Sequence, residues 1–152
     1  MPNWVENSLR IIKGDPKEVF EFVRTEESVF DFNRIVPMPE PIQDCDEEVD
    51  LHGFKVPTWR AWSVENWGTK WNAYDARFST KDPEHTVEFD TAWAPPVALF
   101  KSLAKQFPTH EIVIHSDEYG NHFHRSFTLM GGQVRVQKTR AIASRGTPSL
   151  CV

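Results

Sequence analysis

Asn7-Ser-Leu-Arg-Ile-Ile-Lys13 is a β-branched-rich run closed by Gly14, and Asp15-Pro-Lys-Glu-Val-Phe-Glu-Phe-Val23 follows at once. The run predicts a strand of about seven residues. Asp15 is suited to cap a helix and Pro16 to its first helical position. Glu18 completes a capping box with Asp15, and Val19, Phe22 and Val23 at i, i+3 and i+4 supply an apolar stripe. A strand therefore feeds directly into an amphipathic helix.

The second half of the chain extends this pattern. Tyr74, Ala76 and Phe78 alternate with Asp75, Arg77 and Ser79, Lys81-Asp-Pro-Glu84 turns the chain, and Val87, Phe89 and Thr91 alternate with Glu88 and Asp90. This is the period of an antiparallel hairpin with one buried face. Pro95 and Pro96 open a helix carrying Leu99, Phe100, Leu103, Ala104 and Phe107, which Pro108 ends. His110–Tyr119 and His122–Met130 read as a last strand pair around Gly120-Asn121, a dipeptide suited to a type II′ hairpin. The order strand, helix, strand, strand, helix, strand predicts an α+β, ferredoxin-like split β-α-β antiparallel sheet with two helices on one face, plus an extra C-terminal strand.

Between these halves, residues 26–70 lose regular period. Pro37, Pro39 and Pro41 force an extended path, and Trp59, Trp62 and Glu65 at three-residue spacing after Pro57 suit a short helix. A structureless loop of this length is uncommon in a compact domain. The expectation is a long Trp-rich insertion folded against the domain as a wall or lid, with the helix-free face of the sheet as its candidate seat. The domain then spans residues 1–131, and 132–152 form a basic C-terminal tail.

Composition narrows the function classes. The 152 residues are one domain's worth, and two distant cysteines, Cys45 and Cys151, supply no disulfide framework. The formal net charge of −5 is uneven: residues 1–130 hold 13 Lys and Arg against 22 Asp and Glu, a balance of −9, while residues 131–152 carry Arg135, Lys138, Arg140 and Arg145 with no acid, a balance of +4. An acidic body disfavours nucleic acid as the main partner, because phosphate affinity comes largely from Lys and Arg. No membrane partner is expected, and the N-terminus resembles no secretory signal, which predicts a cytoplasmic protein.

Two constellations carry possible chemistry. Asn66-Trp-Gly-Thr-Lys-Trp-Asn72 places Lys70 within reach of an aromatic face and lets Gly68 bend the chain between two indoles. With Trp93 nearby in Asp90-Thr-Ala-Trp-Ala-Pro-Pro96, the candidate binding residues are Trp67, Lys70, Trp71 and Trp93, as a platform for a ring or as a packed corner that locks the insertion to the sheet. On the last strand pair, His115, Asp117, His122 and His124 share the polar face, with Asp117 opposite His124. His115, His122 and His124 are the candidate ligands for zinc or a similar ion, or polar side chains that keep an exposed strand face soluble. No phosphate-binding loop, dinucleotide fingerprint or nucleophile elbow occurs, so catalytic residues are unassigned, no cofactor is expected, and the balance leans away from an enzyme.

Pro2-Asn-Trp4, Phe30-Asp-Phe-Asn33 with Ile35-Val-Pro-Met-Pro39, Asn66-Trp-Gly-Thr-Lys-Trp-Asn-Ala73 and Thr91-Ala-Trp-Ala-Pro-Pro96 resemble, in order and spacing, the YubB-type family of phage and plasmid proteins, over residues 2 to about 131. The resemblance implies a ferredoxin-like topology and a bacterial mobile-element context, and no activity. Val5 stands where that family carries Cys after Trp4. "Ferredoxin-like" here names a topology, since two distant cysteines cannot hold an iron–sulfur cluster. Taken together, these features lead to a non-enzymatic protein-binding module whose partner is a host or phage protein. The rival readings are single-stranded nucleic-acid binding on an open sheet face and a metal-dependent enzyme at the histidines.

Overall fold

The computed structural model describes residues 3–51, 53–119 and 122–140. In chain order the elements are β1 (Trp4–Lys13), α1 (Pro16–Val23), a 3-10 turn (Phe32–Arg34), α2 (Glu40–Gln43), β2 (Val49–Leu51), β3 (Phe54–Val56), α3 (Trp59–Asn66), β4 (Tyr74–Phe78), β5 (Thr86–Ala92), α4 (Val97–Gln106), β6 (Glu111–Glu118), β7 (Phe123–Met130) and β8 (Gln133–Arg140). Six strands form one antiparallel sheet in the order β4-β5-β1-β6-β7-β8, and β2 and β3 pair separately. The first four strands of that order have the ferredoxin-like arrangement, and β7 and β8 extend it past β6. The Gly120-Asn121 turn, Cys151 and Arg145 lie outside the described residues.

Local chemistry sets the helix ends much as expected. The Asp15 carboxylate accepts from the Lys17 N–H at 3.0 Å, while Glu18 reaches toward buried His110, 3.8 Å from its Nε2, instead of closing the box. His110 Nε2 lies 3.1 Å from the Asp15 carbonyl, and its ring fills the space beside Gly14, where a Cβ would stand 2.4 Å from it. Thr58 caps α3 by accepting from the Ala61 N–H at 3.0 Å.

One core lies on the helix side of the sheet. Leu9, Ile11, Val87, Phe89, Ile112, Ile114, Phe127 and Leu129 from the strands meet Val19, Phe20 and Val23 of α1 and Leu99, Phe100, Leu103 and Ala104 of α4. Burying such side chains is worth about 1.5–3 kcal/mol each before entropy is counted. The insertion joins this same core: Phe30 stacks on Phe89 with ring centres 4.6 Å apart, and Phe32, Ile35 and Trp67 are buried with it. The helix-free face is thus not the insertion's seat. The reason is its apolar content, since Phe30, Phe32 and Ile35 bury more surface beside α1 and α4 than on the polar strand face.

Two further expectations are corrected. Tyr74 and Phe78 do not share a face. The β4–β5 register shifts between Tyr74 and Arg77, where Asp75 has φ 52°, so Phe78 packs edge-on against Phe20 while Tyr74 is turned outward. The start of the basic segment is a strand and not a tail: β8 pairs with β7 from Met130↔Gln133 to Phe123↔Arg140. Its alternation places Val134 against the core, while Val136, opposite Phe127, stays 53% exposed, so the edge is held by the ladder with β7 and by Val134.

The inner face also carries a polar end. Asn7 Nδ2 donates to the Phe89 carbonyl at 3.2 Å and to Thr91 Oγ1 at 3.0 Å, and its Oδ1 accepts from Ser116 Oγ at 2.6 Å. One buried amide thereby ties β5, β1 and β6 together. Beside it, Glu118, only 3% exposed, holds Arg125 with Nε 2.7 Å from Oε2.

Candidate functional site

The segment after α3 is tied by side-chain hydrogen bonds to α3, to the 3-10 turn and to β5. Ser63 Oγ donates to the Lys70 carbonyl at 2.6 Å, and Thr69 Oγ1 donates to the Ala92 carbonyl at 2.7 Å. Asn72 accepts from the Phe32 and Ala73 N–H groups and donates to Asp31. Gly68, at φ +89°, passes so close to the start of α4 that a Cβ would stand 2.9 Å from the Val97 nitrogen. Only glycine satisfies both that φ and that approach. Trp67 is drawn inward by the same bend, 3% exposed, with its N–H donating to the Val36 carbonyl at 2.8 Å. It is core mass and leaves the set of candidate binding residues.

The other three candidates come together in the open. Lys70 Nζ lies 4.6 Å from the centre of the Trp71 ring and 4.8 Å from that of Trp93, an ammonium held between two indoles. Trp71 lies 6.0 Å from Trp4, and Trp4 stacks on Tyr74 at 4.9 Å. The result is a continuous series, Trp93, Lys70, Trp71, Trp4, Tyr74, in which Trp71, Trp93 and Tyr74 are 36%, 53% and 59% exposed. Trp93 owes its place to its backbone. At φ 70°, with the Ala94 N–H donating to the Ala92 carbonyl at 2.9 Å, it forms a tight three-residue turn that a tryptophan seldom adopts. The turn is held by Trp93 N–H to the Asn3 carbonyl at 2.7 Å and Thr91 Oγ1 to the Ala94 carbonyl at 2.7 Å. Trp4 and Tyr74 carry no local motif that singles them out, and only the strand register brings them to this corner.

A row of carboxylates runs from that corner across the open face. Tyr74 is opposite Asp90, Asp90 opposite Glu6, Glu6 opposite Asp117, and Asp117 opposite His124. Neighbouring strands are about 4.8 Å apart, so the three acids are adjacent. Asp90 Oδ1 is buried without a hydrogen-bond partner. Burial pushes the Asp90 carboxyl above the usual range, and Glu6, Asp75 and Glu88 add to this against the opposing pull of Arg77. Arg77 itself is paired with Asp75 at 3.3 Å and Glu88 at 3.6 Å.

The histidines are partly gathered. His124 Nδ1 lies 2.7 Å from Asp117 Oδ1, and His124 Nε2 lies 3.2 Å from His115 Nδ1. Asp117 thus fixes the proton of the neutral His124 ring on Nδ1, which leaves His124 Nε2 to accept from His115 Nδ1–H. Burial, then the neighbouring His124, lowers the His115 pKa. His122, at φ 57° in the turn before β7, does not complete a ligand set: among the described residues no three of His, Cys, Asp and Glu are arranged to hold a metal ion. The turn displaces it from the alternation that would have aligned the three imidazoles.

Sheet order, helix side and strand pairing define an α+β domain of ferredoxin-like topology. Residues 66–134 match the family model described as the ferredoxin-like domain in Api92-like protein. The fold is also similar to the crystal structure of the protein Api92 from Yersinia pseudotuberculosis, with a TM-score of 0.55 at 20% sequence identity over 76% of this chain. The chain spans 40% of the length of that structure's chain. No curated protein matches it. Among the described residues no helix is long and apolar enough to cross a membrane.

Proposed function

We propose that the chain is a non-enzymatic protein-binding module that docks on its partner through the aromatic corner of Trp4, Trp71, Tyr74 and Trp93. The observation that carries this reading is the exposed series of rings around Lys70. Trp71, Tyr74 and Trp93 each leave a third to more than half of their surface in water, and contiguous exposed aromatic surface marks interaction sites. Tryptophan and tyrosine are also the residue types that dominate binding energy at protein interfaces. The corner is rigid, since Thr69, Asn72 and the Trp93 turn anchor it through the backbone, so a partner would pay little for its ordering. In this reading the module belongs to a phage or plasmid, works in the bacterial cytoplasm and has a host or phage protein as partner; the resemblance to the YubB-type family supports the mobile-element context alone. Affinity capture from a bacterial lysate, run side by side with wild type and with W71A/W93A, tests the reading. A partner retained by wild type and lost by the variant supports it, and identical captures by both sink it.

A second reading, single-stranded nucleic-acid binding, draws on the stacked Trp4–Tyr74 pair lying on an open sheet, a surface on which a base can stack. The adjacent carboxylates oppose a phosphate backbone. Titration with labelled oligothymidine at two salt concentrations decides it, and no binding at low salt removes it.

A further inference from the structure

The helix-free face of the sheet carries aromatic rings beside a row of carboxylates. Its exposed aromatic corner already holds a cation, Lys70, between Trp71 and Trp93, so the rings accept positive charge. Next to them the Trp4–Tyr74 stack borders Asp90 and Glu6: Asp90 is the direct cross-strand neighbour of Tyr74, and Glu6 is two residues from Trp4 on the same face of β1. Among the described residues neither Asp90 nor Glu6 forms an ion pair with a lysine or arginine. The row continues to Asp117.

We propose that this face docks a basic, arginine-bearing segment of the partner protein, with a guanidinium stacked on the Trp4–Tyr74 pair and donating to Asp90 and Glu6. A guanidinium is planar, always charged, stacks on aromatic rings and presents paired N–H donors to a carboxylate. Those are the features of a site built from two rings and two adjacent acids. The partner's charge also relieves a repulsion that the free protein bears, since Glu6 and its neighbours crowd Asp90 with negative charge. An acidic segment would add to the crowding, and a neutral one would leave the charge of Glu6, Asp75 and Glu88 around Asp90 uncompensated. Further basic residues of an extended segment crossing the strands would reach Asp117.

This inference rests on the docking reading above, and its test separates the two. The probe is a synthetic ten-residue peptide of alternating arginine and glycine, titrated by calorimetry and tryptophan fluorescence against the intact protein. A citrulline–glycine peptide and oligothymidine serve as comparison ligands. Saturable binding of the arginine peptide, about tenfold weaker with E6Q/D90N and with Y74A and unchanged with E26Q/E27Q, is the expected result. Circular dichroism confirms that each variant folds, and E6Q alone serves if D90N perturbs β5. Equal binding of the arginine and citrulline peptides, binding unaffected by E6Q/D90N, or no binding overturns the inference. Oligothymidine binding with indifference to the arginine peptide overturns it in favour of nucleic acid. If lysate capture still depends on Trp71 and Trp93 while the arginine peptide fails, docking stands and the basic partner falls. If lysate capture does not depend on them, both fall.

Discussion

The Tyr74 ring lies on the Trp4 indole, centres 4.9 Å apart and planes inclined by 24°. The contact joins the edge strand β4 to the start of β1, with β5 between them in the sheet. It exists because the backbone irregularity at Asp75 turns Tyr74 out of the alternation that Phe78 follows. A single shift of register thus moves one aromatic ring from the core to the open face, where it becomes half of a stack.

The two roles of tryptophan are separable by stability. Trp67 is buried and hydrogen-bonded, so W67A should lose about 3–5 kcal/mol. Trp71 and Trp93 are solvent-exposed, and W71A or W93A should each cost about 1 kcal/mol or less, the scale of an exposed cation–π contact. Urea unfolding monitored by circular dichroism checks both. A loss for W71A as large as that for W67A would show the corner to be scaffold.

Gly68 should tolerate no side chain. G68A places a Cβ at 2.9 Å from the Val97 nitrogen and 3.0 Å from that of Ala98, at a φ of +89° that alanine avoids. Backbone atoms of α4 cannot move aside as a flexible side chain would. A loss of about 1–3 kcal/mol is expected, read as a lower urea midpoint with an unchanged slope.

Asp90 should make stability depend on pH with a definite sign. Its folded-state pKa is raised, so the folded protein holds the proton more tightly than the unfolded chain. The favourable contribution is complete below the ordinary carboxylate pKa and is lost as pH rises through the raised value. Relative to wild type, D90N should therefore gain stability as pH climbs from about 3 to 7, because it never ionises. Unfolding curves for the two proteins across that range test this, and a gap independent of pH would contradict it.

The Glu118–Arg125 pair predicts an asymmetry between single and double replacement. E118A leaves Arg125 without its partner on the inner face and should cost about 3–5 kcal/mol. E118L/R125M removes both charges and should be much less damaging than E118A. A double-mutant cycle by urea unfolding measures the difference.

Much of the frame was readable one element at a time. Asp15 and Pro16 announce α1, the prolines at 95 and 96 announce α4, and the alternation of Val87, Phe89 and Thr91 announces β5, because caps, ring constraints and period two act over a few residues. Lys70 beside Trp71 and Trp93 was also legible as a candidate group, since two of the three are sequence neighbours. Of the two readings open for Asn66–Asn72, a packed corner holds for Trp67 and an exposed group for Trp71, and the bend at Gly68 that separates them owes its direction to α4. Trp4 and Tyr74 were missed as site residues for the same kind of reason: one lies at a strand start and the other beside a register shift.

The sequence by itself determined the strands and helices of the frame, β1, α1, β4, β5, α4, β6 and β7, together with α3, that the chain is acidic, and that indoles cluster around Lys70. Those properties follow from local sterics and composition, which each residue carries wherever it sits. Only the tertiary structure decided which face the insertion covers, that residues 133–140 become a sheet edge, and that Trp4, Tyr74, Asp90 and Glu6 meet. Such outcomes depend on pairing between segments tens of residues apart, where burial of the whole apolar set, and not any local preference, chooses the register.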